Sequence, residues 1–282
     1  MYKFKWKNNK KCAVAITVNL SGEYFWLSMF PESINKPKTL SMGEFGVKVG
    51  LERLLDLFEK HDIEATFFVT GKIIEKYEKK IKLICDKNHE IANYGYENEN
   101  FALLNKEEQE YSLEKTNKII KELTGYKPRG FRAPDGEITE DTYDILEKMN
   151  FLYDSSLMDD FLPYFMKFKN KEYNIVQMPI KWQLYDFPYF AFNYSPAFPE
   201  GQGRISSYDG VLKNWIYEYE GYKKNNLLYI LQLSPQTIGT PGRMIMLKEF
   251  IEYIKKNNDT WIAKSSEIVE YFKSNIELKN ED

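Results

Sequence analysis

The sequence predicts an α/β fold built on a parallel sheet closed, or nearly closed, into a barrel. Three observations point there. Short apolar strands alternate with helical segments almost throughout, in about seven units. Hydrophobic residues make up 43% of the chain and aromatic residues 16%, enough for a large core. The 282 residues contain no internal repeat, linker or low-complexity stretch, so a single domain over 1–282 fits best. A naive length rule suggests about two domains, but α/β barrels of this size often form one.

The elements follow in order. Ala13-Val-Ala-Ile-Thr-Val18 is an apolar strand. Leu51, Leu54, Leu55 and Phe58 recur at helical spacing on one face. Ala65-Thr-Phe-Phe-Val69 is a β-branched and aromatic strand closed by Gly71. Ile73 to Asp86 is helical, with Ile74, Tyr77, Ile81 and Ile84 inward. Glu90 to Asn93 is the next strand. Lys106 to Leu123 is a long helix stopped by Gly125 and Pro128. Gly130-Phe-Arg-Ala-Pro134 reads as a strand ending, and Thr139 caps a helix reaching Met149. An aromatic-rich middle follows. Beyond it come strand Ile175–Met178, helix Tyr208–Lys224, strand Leu227–Leu233, helix Arg243–Asn257, strand Trp261–Ala263 and helix Ser266–Phe272.

Composition excludes several partners. A net charge of −3 leaves no electrostatic footprint for nucleic acid. Lysines interleave with glutamates, as on an ordinary solvated surface. No apolar run approaches membrane-spanning length, and the run from Cys12 to Val18 is too short for a secretion signal, so a cytoplasmic protein is expected. The two cysteines, Cys12 and Cys85, lie in apolar-periodic segments and read as buried free thiols. Of the two histidines, His61 reads as a surface turn and His89 as the start of a strand. Neither has a partner at metal spacing.

Barrels of this kind carry function at the C-terminal ends of their strands. That directs attention to Thr17–Glu23, Tyr94–Asn100, Arg132–Glu137, Trp182–Pro188 and Ser234–Arg243. These segments, with Glu44-Phe-Gly-Val-Lys-Val-Gly-Leu-Glu-Arg-Leu-Leu-Asp-Leu-Phe58, His89-Glu-Ile91, Tyr153-Asp-Ser155, Trp261 and Glu267-Ile268, form an ordered series along nearly the whole chain. The series resembles the polysaccharide deacetylases, the fourth carbohydrate esterase family, in their peptidoglycan-deacetylase and allantoinase-like branch. The resemblance implies a single distorted (β/α) barrel, metal-assisted hydrolysis of an N-acetyl group, and a homo-oligomer, typically a tetramer.

In the family an Asp and two His hold the metal, a second Asp is the base, and a late His is the acid. Carried onto this chain, the acidic positions fall at Thr17, Asn19 or Ser21, the metal histidines at Tyr94 and Asn98, and the late histidine at Ser234. The resemblance therefore implies a family site without its ligands. No metal and no other cofactor is expected. Arg132, which in the family orients the base, is retained.

Two readings follow. In the first, the chain is a catalytically degenerate homologue that binds a glycan or a small amide or ureide. Thr17, Asn19, Ser21, Glu23, Tyr94, Glu97, Asn98, Trp182, Asp186 and Ser234 are then its candidate ligand-binding residues. Neutral groups such as Asn19, Asn98 and Ser234 both donate and accept, which suits recognition but not hydroxide generation. In the second, the chain is a metal-independent C–N hydrolase, with Asp135 and Glu137 as candidate acid and base beside Arg132. Solvated loop carboxylates are the bland alternative for these residues. Tyr94 either fills vacated space with its ring or hydrogen-bonds a ligand. The aromatic segment from Phe161 to Phe198 suits a glycan groove or, for most of its rings, a subunit interface. Arg243 either binds a carboxylate or stabilises its own loop.

Overall fold

The computed structural model of the protein describes residues 5–134, 137–200 and 205–276. Among them nine strands form one sheet: β1 (Cys12–Leu20), β2 (Thr66–Val69), β3 (Glu90–Asn93), β4 (Gly130–Phe131), β5 (Tyr153–Asp154), β6 (Tyr164–Phe168), β7 (Lys171–Gln177), β8 (Leu228–Leu233) and β9 (Thr260–Ile262). The order is β6-β7-β5-β4-β3-β2-β1-β8, with β9 pairing β1. The path from β7 to β8 is parallel throughout, and β6 adds antiparallel to β7.

The sheet curls into a distorted half-barrel, as expected. Strands β7 and β8 do not pair. The space beside β8 is bridged by Tyr185 against Gln232 and by the Leu228 N–H donating to the Phe161 carbonyl at 3.0 Å. One edge of β1 is shared: β9 pairs with its start at Cys12–Val14 and β2 with its end at Thr17–Leu20. All nine residues of β1 are buried, which is why it reads as a continuous apolar run.

Side-chain alternation divides the core in two. Val14, Ile16, Val18 and Leu20 face a layer of helices, where they meet Leu51, Leu54 and Phe58 of α3 (Leu51–Lys60). Ala13 and Ala15 face the barrel interior with Phe68, Ala92, Tyr94, Tyr153 and Ile230. The same period carries Thr17 and Asn19 inward at the top of β1, Gln232 at the top of β8, and Arg132 just beyond β4. Small residues low on β1 leave room for the rings of Phe68 and Tyr153 inside.

Helices α4 (Gly71–Asp86), α5 (Lys106–Thr124), α6 (Glu140–Lys148), α8 (Tyr208–Lys224), α10 (Pro241–Lys255) and α11 (Ser265–Asn275) lie near their expected places. The α5 helix begins with an Asn105–Glu108 capping box and ends on Gly125 at φ 81, the stop expected from the sequence. Thr139 caps α6, also through a capping box.

Three features differ from expectation. Helices α1 (Tyr24–Met29) and α2 (Pro37–Phe45) occupy a stretch without clear apolar periodicity. Strands β5 and β6 are too short, or too exposed, to show in the pattern. Cys85 is half-buried, whereas Cys12 is fully buried and its thiol is pushed up to about 12 by desolvation. Both cysteines are free. No described helix is long and apolar enough to cross a membrane.

Candidate functional site

The C-terminal strand ends open into a cavity of ≈ 480 Å³. Its floor holds Asn19, Arg132 and Gln232, and its walls include Tyr94, Tyr185, Phe187 and Phe198. Trp182 stands at the mouth, 58% exposed. Phe25 of α1 packs edge-on against Phe187 and Phe198, with centroids at 4.7 and 5.6 Å. The unanticipated first helix is thus what completes one wall.

Arg132 organises the floor. It is 2% exposed and projects inward one residue past β4. Its Nη1 donates to Thr17 Oγ1 at 3.0 Å and to Asn19 Oδ1 at 2.8 Å. Its Nε donates to the Ser155 carbonyl at 2.9 Å and its Nη2 to Ser155 Oγ at 2.8 Å. The guanidinium lies 4.1 Å from the Phe68 ring centroid. Burial pulls its pKa down to about 10, so it remains charged near neutral pH.

Hydrogen-bond direction can be followed outward from Arg132. A guanidinium only donates, so Asn19 must present its oxygen there and its amide elsewhere. The Asn19 side chain faces the Tyr185 hydroxyl and helps to hold down its pKa, which burial raises. The Tyr185 hydroxyl lies 2.9 Å from Ser234 Oγ. Ser234 N–H in turn donates to Asp186 Oδ1 at 2.8 Å. A chain of neutral groups therefore runs from Asn19 to Ser234, the positions to which resemblance assigned an acidic residue and the late histidine.

Asp186 is fully buried behind this chain, and desolvation pushes its carboxyl up to about 8. Thr237 Oγ1 is in contact with both Asp186 Oδ2 and the Ser234 carbonyl, and that carbonyl also accepts from the Thr237 and Ile238 N–H groups at 2.9 Å. Asp154, on β5, is also buried and pushed up to about 6 by desolvation. Ser156 Oγ at 2.5 Å and Gln177 Nε2 at 3.0 Å engage its two oxygens.

The expected site residues divide into three groups. Asn19, Tyr94, Arg132, Glu137 and Trp182 line the cavity. Tyr94 is a wall residue, its hydroxyl donating to the Pro134 carbonyl at 2.9 Å. Glu137 is exposed at the rim. Thr17, Ser234 and Asp186 stand behind the lining as partners of Arg132, Tyr185 and each other.

The third group does not line the cavity. Ser21 is buried in the turn after β1 and accepts from the Tyr24 N–H through its carbonyl. Glu23 turns to Lys76 at 2.5 Å and Tyr77 at 3.2 Å. Glu97 pairs with Lys72 at 2.6 Å on the surface. Asn98 adopts φ 68 and donates to Ser28 Oγ at 3.0 Å. The turns after β1 and β3 aim these groups away, which strand periodicity does not anticipate. Asp135 lies outside the described residues. Arg243 donates to the Thr237 carbonyl at 2.6 Å and packs on Phe190, so it stabilises its own loop.

Tyr185, Gln232 and Ser155 were not singled out by the sequence reading. Gln232 had a signal, a polar residue at an inward position of an otherwise apolar strand. Ser155 had another, within Tyr153-Asp-Ser155. Among the described residues no group of three or more His, Cys, Asp or Glu is placed to hold a metal ion. His89 sits at the opposite end of β3, where its Nδ1 accepts from the Ala65 N–H at 3.1 Å and burial pulls its pKa down to about 4.

A half-barrel with an aromatic-walled cavity at its strand C-termini defines the class: an α/β fold with its candidate site where such folds carry function. The polysaccharide deacetylase family profile matches residues 44–153. A peptidoglycan deacetylase of Helicobacter pylori is 29% identical over 295 residues, covering 96% of this chain and 99% of that protein. A solved Mycobacterium smegmatis structure assigned to the polysaccharide deacetylases superposes with a TM-score of 0.88 at 28% identity, covering 99% of this chain and 97% of that one. PuuE allantoinase shares the fold at TM-score 0.78 and 21% identity, covering 95% of this chain and 92% of its own. The chain is thus similar to the polysaccharide deacetylases over residues 44–153, similar to a peptidoglycan deacetylase along nearly its whole length, and shares the fold of an allantoinase.

Proposed function

We propose that this chain is a polysaccharide deacetylase homologue that keeps the family's pocket for ligand binding and has lost its metal-assisted hydrolysis. The observation that carries the reading is the run of neutral groups Asn19, Tyr185 and Ser234 that leads away from Arg132. Hydrolysis by a metal needs anionic or imidazole ligands that hold the ion and lower the pKa of its water. Asn19, Tyr94, Asn98 and Ser234 are poor at both, so the residues present do not fit the family's metal.

The pocket is nevertheless built, not collapsed. Rings of Tyr94, Trp182, Tyr185 and Phe187 offer faces on which a sugar stacks. Asn19, Gln232 and Arg132 offer donors and acceptors to an amide or hydroxyl. The likeness to a peptidoglycan deacetylase favours an N-acetylated glycan fragment, with a small amide or ureide as the other ligand of the same chemistry. The competing reading, metal-independent hydrolysis, needs two differently tuned carboxylates at the ligand. Glu137 is the carboxylate lining the cavity among the described residues, while Asp154 and Asp186 are both committed to protein partners.

The test is restoration. Zinc and an N-acetylated chito-oligosaccharide are offered to the wild type and to a variant carrying Asn19→Asp, Ser21→Asp, Tyr94→His, Asn98→His and Ser234→His. Metal-dependent acetate release is expected from the variant alone. Acetate release by the wild type on adding zinc contradicts the reading.

A further inference from the structure

The floor of the cavity holds a positive charge to which no described carboxylate is hydrogen-bonded. Arg132 donates four hydrogen bonds, and every acceptor is neutral: a hydroxyl, an amide oxygen, a carbonyl and a second hydroxyl. A guanidinium has five N–H donors, so one on Nη2 is uncommitted in this set. No described carboxylate forms an ion pair with it. The two buried carboxylates nearby accept their hydrogen bonds elsewhere: Asp154 from Ser156 and Gln177, Asp186 from Ser234 and Thr237. Asp154 acts on Arg132 through its field but does not bond it. A buried charge with no directly bonded counter-charge is costly, and the ring of Phe68 offsets that cost in part.

We propose that the cavity takes a ligand bearing a carboxylate, and that Arg132 is the residue that meets its charge. The proposal rests on the reading of the cavity as a non-hydrolytic binding site and adds the ligand's charge class. A carboxylate reaching the floor would supply the anion that Asn19, a neutral amide, cannot. Charge-assisted bonds of this kind are roughly twice as strong as neutral ones. The aromatic walls would hold the ligand's body, and the ≈ 480 Å³ of space admits one ring system, not a long polymer segment at depth. The acid group has two sources, the lactyl carboxylate of a muramic-type amino sugar and a free small carboxylic acid.

Calorimetric titration of the wild-type chain separates these. Five probes are used: N-acetylmuramic acid, its methyl ester, N-acetylglucosamine, benzoate and benzamide. The acid of at least one pair is expected to bind about tenfold more tightly than its neutral counterpart. A preference seen with the sugar pair assigns the muramic source, and one seen with benzoate assigns a free acid. Equal affinity of acid and neutral probes overturns the carboxylate proposal and leaves the binding-site reading standing. Binding with zinc-dependent release of acetate from N-acetylglucosamine overturns the non-hydrolytic reading instead. Failure of all five probes to bind overturns both. Arg132→Gln should bring the ratio of acid to neutral affinity to about one, whatever its effect on binding of the neutral probe. Arg132→Lys, which keeps the charge if the Gln variant does not fold, should retain part of the preference.

Discussion

The two ends of the barrel interior each bury a charged side chain, and they treat it differently. At the lower end Glu90 receives the Thr66 hydroxyl at 2.9 Å, the Tyr153 hydroxyl at 3.1 Å and the Ser266 N–H at 3.1 Å. The last bond docks it on the start of α11, where a carboxylate is favoured. At the upper end Arg132 is equally buried but borders a cavity. Phe68 and Tyr153 stand between them, the ring of Phe68 against both the guanidinium and Tyr153. The closed end uses its charge to fasten a helix. The open end holds its charge beside space that a ligand can enter.

Breaking either end should have unequal effects. Arg132→Met removes a cation whose four acceptors cannot all find new partners, and a loss of about 3 kcal/mol or more is expected in denaturant unfolding. Glu90→Gln keeps one accepting oxygen, and its expected loss is nearer about 1 kcal/mol. Desolvation raises the Glu90 pKa, so removing its charge also removes part of a burial cost. A larger loss for Glu90→Gln than for Arg132→Met would reverse the contrast.

The link between the ends comes next. A Cβ at Gly130 would lie 1.9 Å from Tyr153 Cζ, inside the ring that bonds Glu90. Gly130→Ala should cost about 1–3 kcal/mol or more and loosen both ends together, read as a lower Tm and weaker ligand binding.

A subtler effect is the pH dependence of the upper end. The Asp186 carboxyl sits at about 8 against an ordinary 3.8. The folded state therefore holds a proton that the unfolded state releases. The associated stability is complete below about pH 4 and is lost as pH rises through about 8. Asp186→Asn should flatten the fall in Tm across that window, and an unchanged slope would show that Asp186 titrates normally. The smallest effect belongs to Glu97, whose surface pair with Lys72 is half-exposed. Glu97→Ala should shift stability by no more than about 0.5 kcal/mol and leave ligand binding unchanged.

The frame was largely legible in the sequence because strand alternation and helix stops are local. An apolar run marks β1, apolar periodicity marks α3 and α4, and Thr139 and Gly125 mark helix ends. Asn19, Tyr94 and Arg132, named through the resemblance, come together at one cavity. It could not show that Glu23 and Glu97 turn to Lys76 and Lys72, since those directions depend on loop curvature and on α4 packing beside them. Nor could spacing foresee Tyr185 linking Asn19 to Ser234, a contact between segments far apart in the chain. Helix α1 escaped notice because Trp26 is its one buried residue.

The central claim is binding without hydrolysis, and one NMR experiment addresses both halves. The wild-type chain is mixed with excess zinc and an N-acetylated muropeptide fragment, and saturation transfer and the acetyl methyl signal are followed together. The account predicts transfer from the protein to the sugar while the acetyl signal stays intact. Growth of a free acetate signal that depends on zinc would contradict it.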